Sequence, residues 1–241
     1  MRTYLFGFIN LCLPGIALLL MISGCKINNT AQRDRDGFIK IFDGKTLQNW
    51  EGDPTYWKVE NGNLVGTITP ETILKRNTFI IWRGGLTTDF ELKVDYRISA
   101  GGNSGINYRS EEIPDLPFAL KGYQADIDGA NNYTGQNYEE RGRTFLALRG
   151  QKVNLEAGKK PIVTSLIASS DSLKNFIKSN DWNEVHLIVK GSRMQHYING
   201  VLMSEVTDND AINRKMKGLL GVQVHVGPPM KIEYRNFRLK Q

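Results

Sequence analysis

From residue 37 onward, apolar positions recur every second residue rather than every third or fourth. Phe90, Leu92, Val94, Tyr96 and Ile98 alternate with Glu91, Lys93, Asp95 and Arg97, which predicts a strand with one face on a core and the other in water. Val185, Leu187 and Val189 alternate less cleanly with His186, Ile188 and Lys190. The runs 194–198 and 201–203 flank Asn199-Gly200, a pair suited to the two positive-φ positions of a type I′ hairpin. Ile232, Tyr234, Phe237 and Leu239 predict a closing strand whose alternation breaks near Asn236. Helical periodicity is confined to 170–178, and 24 glycines interrupt the remaining runs at short intervals. This pattern predicts an all-β fold, an antiparallel two-sheet β-sandwich. Trp50, Trp57 and Trp182 flank strand starts and are expected in its core. Residues 129–165, rich in Asn, Gly, Tyr and charge, contain one apolar run at 144–149 and are expected to form a long functional loop.

Two of the predicted strands carry polar residues in one register. In 122–129, Gln124, Asp126 and Asp128 oppose Tyr123, Ala125 and Ile127. In 221–227, Gln223 and His225 oppose Val222, Val224 and Val226, and nearby Asn107 and Arg109 oppose Ile106 and Tyr108. A row of polar side chains on a core-forming strand is costly unless it meets water, a ligand or partners. Both rows are expected on the concave side of one sheet, converging on a groove. His225 is the leading acid–base candidate because its ordinary pKa lies near neutrality. Asp126 and Asp128 are candidates for base, acid or metal ligand, with Asp128 also suited to a turn beside Gly129. His186 and His196 lack polar companions and are expected at the surface or in packing.

The N-terminus sets the compartment. Arg2 precedes an apolar stretch over 4–22, followed by Ile22-Ser23-Gly24-Cys25, the layout of a secretory signal peptide; the alternative is an uncleaved membrane anchor, since the run is nearly long enough to span a bilayer. The tetrapeptide resembles a bacterial lipobox, which implies a signal peptide over 1–24 and lipidation of Cys25. The polar segment 25–36 is then a lipidated tether and 37–241 the folded domain. Of the two cysteines, Cys12 would leave with the signal and Cys25 would carry lipid, so no disulfide is expected. The expected setting is the bacterial cell envelope, periplasmic or cell-surface, with the membrane engaged through the lipid. The formal net charge of +6 comes from basic residues interspersed with acidic ones, and no nucleic-acid partner is expected.

In order along the domain, several segments resemble the 3-keto-disaccharide hydrolase family, whose members carry 3-keto-glucoside 1,2-lyase and 3-keto-2-hydroxy-glucal hydratase activity. They are 42–47 with Trp50, 57–62, 89–97, 102–109, 122–128, 182–185, 198–200, 221–225 and 234–238. The resemblance implies a concanavalin A-like jelly roll and a 3-keto-glycoside substrate. Members often have Glu, apolar, Gln where this chain has Gln124, Ala125 and Asp126. Retaining glucanases on this fold place a glutamate nucleophile where Gln124 stands, and an amide cannot serve there. The alternatives are a non-catalytic carbohydrate-binding module and a glycosidase on unoxidised glucans. On the lyase reading, one base removes the C2 proton and an acid assists loss of the C1 substituent. His225 or Asp126 is the expected base, and Arg109 or a divalent cation the expected enolate stabiliser. Gln124, Gln223, Asn103, Asp128, Tyr138 and Arg149 are the expected sugar contacts, with Tyr133 beside them. One His and two Asp are able to hold a cation, but their spacing is not diagnostic of a metal site.

Overall fold

The computed structural model describes residues 1, 3, 4 and 33–241. Cys12, Cys25 and nearly all of the expected signal peptide lie outside the described residues. Residues 33–36, assigned above to the tether, fold back onto the first strand. Arg33 bridges Ile39, and the Asp34 carboxylate accepts from the amides of Asp36 and Phe38 at 3.0 and 2.9 Å.

The described strands begin with β1 (Ile39–Lys40), β2 (Trp50–Glu51), β3 (Trp57–Glu60), β4 (Asn63–Ile68), β5 (Thr78–Thr87) and β6 (Phe90–Ile98). β7 (Asn103–Glu112), β8 (Leu120–Asp128), β9 (Asn137–Glu140), β10 (Thr144–Ala147), β11 (Gln151–Leu155) and β12 (Ile162–Leu166) follow. After helix α1 (Ser170–Lys174) come β13 (Asn183–Lys190), β14 (Arg193–Ile198), β15 (Val201–Asp208), β16 (Gly218–Val224) and β17 (Met230–Lys240). One sheet runs β12-β11-β15-β14-β13-β6-β17-β4-β3, with β1 beside β17, and the other runs β10-β9-β8-β7-β16-β5-β2. The buried faces of the two sheets form one hydrophobic core, from Leu92, Val94 and Leu187 on one side to Ile106, Tyr108, Val222 and Val224 on the other.

Period-2 patterning explains most of these elements. β6 alternates buried and half-buried residues along its whole length, as its sequence predicts. Asn199 and Gly200 have φ of 50° and 79°, the mirror-image turn that matches strand twist. The break in β17 is real: Asn236 has φ 56° and the register against β6 shifts between Arg235 and Arg238. The helix is shorter than its predicted 170–178 and is capped by Ser169, whose side chain accepts from the Ser172 amide.

Two expectations are corrected. Trp50 and Trp57 are core residues, but Trp182 is only half-buried. It lies beneath the guanidinium of Arg235, 3.8 Å from the ring centroid, with Arg97 at 4.9 Å, an electrostatic use of its π face rather than core packing. Nor is 129–165 a long loop. β9 and β10 widen the second sheet, while β11 and β12 extend the first, with β11 running parallel to β15. These strands are short, and their faces are set by pairing with neighbours rather than by their own periodicity.

Candidate active site

The polar registers of β8 and β16 face the same side of their sheet. β8 and β7 pair Asp126 with Gly105 and Gln124 with Asn107, and β16 pairs Gly221 with Asn107. Continuing that register sets Gln223 beside Gly105. A Cβ at Gly105 would lie 2.6 Å from Cγ and Cδ of Gln124, so the missing side chain is what lets Gln124 cross β7. The Gln124 amide donates to Asp126 Oδ1 at 2.8 Å and its carbonyl accepts from Gln223 Nε2 at 3.2 Å.

A second carboxylate completes the floor. Glu140 on β9 accepts from Gln223 Nε2 at 3.4 Å and from Asn77 Nδ2 at 3.2 Å. β9 and β16 are separated by two strands, about 14 Å across a flat sheet. Side chains meeting over that span require the sheet to curve inward. Above this floor opens a cleft of ≈ 600 Å³ lined by Asn103, Gln124, Asp126, Tyr138, Glu140 and His225, with Arg76, Asn77, Tyr133, Arg141 and Phe145 around them.

Asp126 is buried, and loss of water from its carboxylate pushes its pKa up to about 7. The hydrogen bond from Gln124 opposes that rise, while the nearby Asp128 and Glu140 charges add to it. The group therefore exchanges a proton near neutral pH. His225 follows the end of β16, half-exposed at the cleft wall. Its Nδ1 lies 2.6 Å from the Val226 carbonyl. A carbonyl only accepts, so Nδ1 carries the hydrogen in the neutral ring and Nε2 holds the free lone pair. Val226 itself is 40% exposed, against its predicted buried register. The strand ends at Val224, and the Val226 amide donates instead to Asn77 Oδ1 at 2.9 Å. Burial, with help from the Glu140 and Asp126 charges, raises the Tyr138 pKa and keeps its phenol protonated.

Four sequence-predicted site residues do not line the cleft. Arg109 is buried away from the cleft, donating to the carbonyls of Thr88, Gly191 and Lys215 and pairing with Asp89 at 3.1 Å. Its φ is 45°, and the β7–β8 register shifts between Tyr108 and Glu111. This bulge breaks the alternation that had grouped Arg109 with Asn107. Asp128 organises a loop: its carboxylate accepts from the amides of Asn132, Tyr133 and Thr134 at 3.0, 2.7 and 2.9 Å. Arg149 braces the same loop, donating to the carbonyls of Asn131 and Thr134 at 3.1 and 2.8 Å and to Ser170 of α1. Gln223 lies beneath the cleft and acts by holding Gln124 and Glu140.

Sequence reasoning missed Glu140, Arg76, Asn77, Arg141 and Phe145. Only the register between β8 and β9, which pairs Gln124 with Tyr138 and Gly122 with Glu140, reveals that Glu140 shares the polar face. His196, assigned above to surface or packing, is buried between the Tyr108 hydroxyl and the Gln136 carbonyl at 2.8 and 3.1 Å, and burial pushes its pKa down to about 4. His186 pairs at 3.3 Å with Glu91 of the adjacent β6, in the sheet that does not carry the cleft. The candidate cation ligands do not converge. Asp128 turns into its loop, Gln124 holds Asp126, and among the described residues no group of three His, Cys, Asp or Glu side chains is placed to hold a metal ion.

Fold and cleft define an all-β sandwich of concanavalin A-like type with one concave, polar-floored sheet. The family model of the 3-keto-alpha-glucoside-1,2-lyase-like domain matches residues 37–240, and the chain belongs to that family. A 3-keto-disaccharide hydrolase of Bacteroides thetaiotaomicron is 36% identical over 87 residues, a match spanning 33% of this chain and 30% of that protein. A Parabacteroides distasonis structure, provisionally described as a glycosyl hydrolase, superposes with a TM-score of 0.57 at 18% identity, covering 85% of this chain and 94% of that one. The carbohydrate-binding module CBM66 from Bacillus subtilis gives a TM-score of 0.53 at 15% identity, covering 80% and 96%. These two likenesses concern the fold.

Proposed function

We propose that the protein is a lyase acting on 3-keto-glycosides. In the proposed reaction His225 Nε2 takes the C2 proton, and the electrons of that bond pass to the C3 oxygen as an enolate. Collapse of the enolate restores the C3 carbonyl, forms a C1–C2 double bond and expels the C1 substituent. The leaving oxygen takes its proton from Asp126. Hydration then places the oxygen of a water on C1 as Asp126 takes its proton, and His225, its proton exchanged with solvent, protonates C2, which gives net hydrolysis and restores both groups. The observation that carries this reading is one cleft holding both a carboxyl raised to about 7 and an imidazole with its Nε2 lone pair free. Arg76 and Arg141, at the same cleft, replace Arg109 as the cations available to the enolate oxygen. Glu140 has both oxygens engaged by amides of Gln223 and Asn77, which suits an acceptor better than a nucleophile.

The test is to incubate purified protein with a 3-keto-glucoside and with the plain glucoside, following enone absorbance and aglycone release. Turnover of the keto-glycoside alone is expected, unaffected by a chelator. Asp126→Asn and His225→Gln are each expected to lower kcat about 100- to 10,000-fold. Tight binding without turnover would replace this reading with that of a carbohydrate-binding module. Turnover of the plain glucoside would replace it with that of a glycosidase.

We further propose that Cys25 is lipidated and holds the domain in the bacterial envelope. Its lipobox-like context supports this. Cys25→Ser should move the protein from the membrane to the soluble fraction and abolish fatty-acid labelling, and labelling that persists would refute it.

A further inference from the structure

Tyr133 and Phe145 are 43% and 45% exposed, unusual for large aromatic side chains in a domain with this much core. Their rings stack with centroids 6.3 Å apart and planes 28° apart. Tyr138 meets Phe145 edge-on at 5.2 Å and 70°. All three line the cleft. Leaving aromatic faces in water is unfavourable, and here it is not the by-product of a slack loop. Asp128 grips the amide of Tyr133, and Arg149 grips the carbonyls of Asn131 and Thr134 on either side of it. Phe145 is fixed by pairing with Tyr138 across β9 and β10. Asp128 and Arg149, expected from the sequence to touch sugar, instead build the surface that Tyr133 presents.

The position of this platform gives it a direction. Across the sheet the order is β10, β9, β8, β7, β16. The platform therefore lies on the β9–β10 side, His225 at the end of β16 with its amide on the Asn103 carbonyl of β7, and Asp126 on β8 between them. A keto-sugar presenting C2 to His225 and its C1 oxygen to Asp126 projects whatever lies beyond that oxygen onto the aromatic rings. We propose that Tyr133, Tyr138 and Phe145 form the leaving-group subsite, and that this subsite takes a ring with a flat apolar face. A second pyranose and an aryl group share that chemistry, whereas a small alkyl group does not reach it. The inference rests on the lyase reading for its orientation.

The experiment compares 3-keto derivatives of methyl glucoside, 4-nitrophenyl glucoside and a disaccharide, with wild type, Phe145→Ala, Tyr133→Ala and the conservative Phe145→Tyr and Tyr133→Phe. In each alanine variant, kcat/KM for the ring-bearing substrates relative to the methyl glycoside should fall about tenfold, chiefly through KM. The conservative variants should restore the ratio. Loss with only one of the two ring-bearing substrates would tell a sugar site from an aryl site. An unchanged ratio, or equal loss on all three substrates, overturns the subsite. If wild type turns over none of them, the lyase reading fails and binding decides the subsite separately. Calorimetric affinity for the ring-bearing glycosides about tenfold above the methyl glycoside, and lost in Phe145→Ala, still supports it, and equal affinity refutes it.

Discussion

Asp126 joins chemistry to stability. Its carboxyl has an ordinary pKa of 3.8 and is raised to about 7 in the folded protein, first by burial. The unfolded chain ionises this group at lower pH than the folded one. The folded state therefore carries no penalty below about pH 3.8, an increasing one as pH rises, and the full one above about 7. Asp126→Asn removes that ionisation while keeping an oxygen for Gln124. It should stabilise the protein at pH 8 by roughly 3–4 kcal/mol and leave it nearly unchanged at pH 3.5, as read by denaturant unfolding. Equal stabilisation at both pH values would mean that the carboxyl is not raised. If Asp126 is the acid of the elimination, kcat should fall as pH rises through about 7. A profile with no falling limb in that range would take the acid role away from Asp126.

At the scale of the element, residues with the chemistry of a site turn out to hold the scaffold. Arg109 ties β7 to the carbonyls of Thr88, Gly191 and Lys215, and removing it leaves buried acceptors without partners. Arg109→Ala should destabilise the domain by about 2–4 kcal/mol while the folded fraction keeps its kcat and KM. A specific loss of kcat with stability intact would return Arg109 to the catalytic machinery. The polar rows of β8 and β16 were legible because alternation survives along both strands, and β6 and β13 were legible for the same reason. Arg109 was misread because a bulge with a left-handed residue shifts the register where no sequence signal marks it. Glu140 was invisible because the four residues of β9 have no periodicity of their own, and only pairing with β8 fixes their faces. Asp128 and Arg149 show a further limit: a carboxylate accepting from backbone amides, or a guanidinium donating to backbone carbonyls, looks in a sequence like one that holds a ligand.

Over the described residues, one sheet presents charge to solvent and the other carries the candidate site. The first carries a charged outer face, with pairs such as Arg235–Asp95 and Arg238–Glu184. The second curves so that side chains from strands three apart meet over its floor. This division explains how a sandwich whose core spans both sheets spares a row of buried polar groups for one cleft. It also explains why the substrate cannot be read from the fold alone, since similar sandwiches bear different names. The central claim is removal of a proton from C2, and the most direct measurement is proton NMR of the sugar released from a 3-keto-glucoside in deuterated water. Elimination followed by hydration predicts deuterium at C2 of the product, above the enzyme-free exchange of the same sugar. Release of a product that keeps its C2 proton would contradict the account and leave direct hydrolysis in its place.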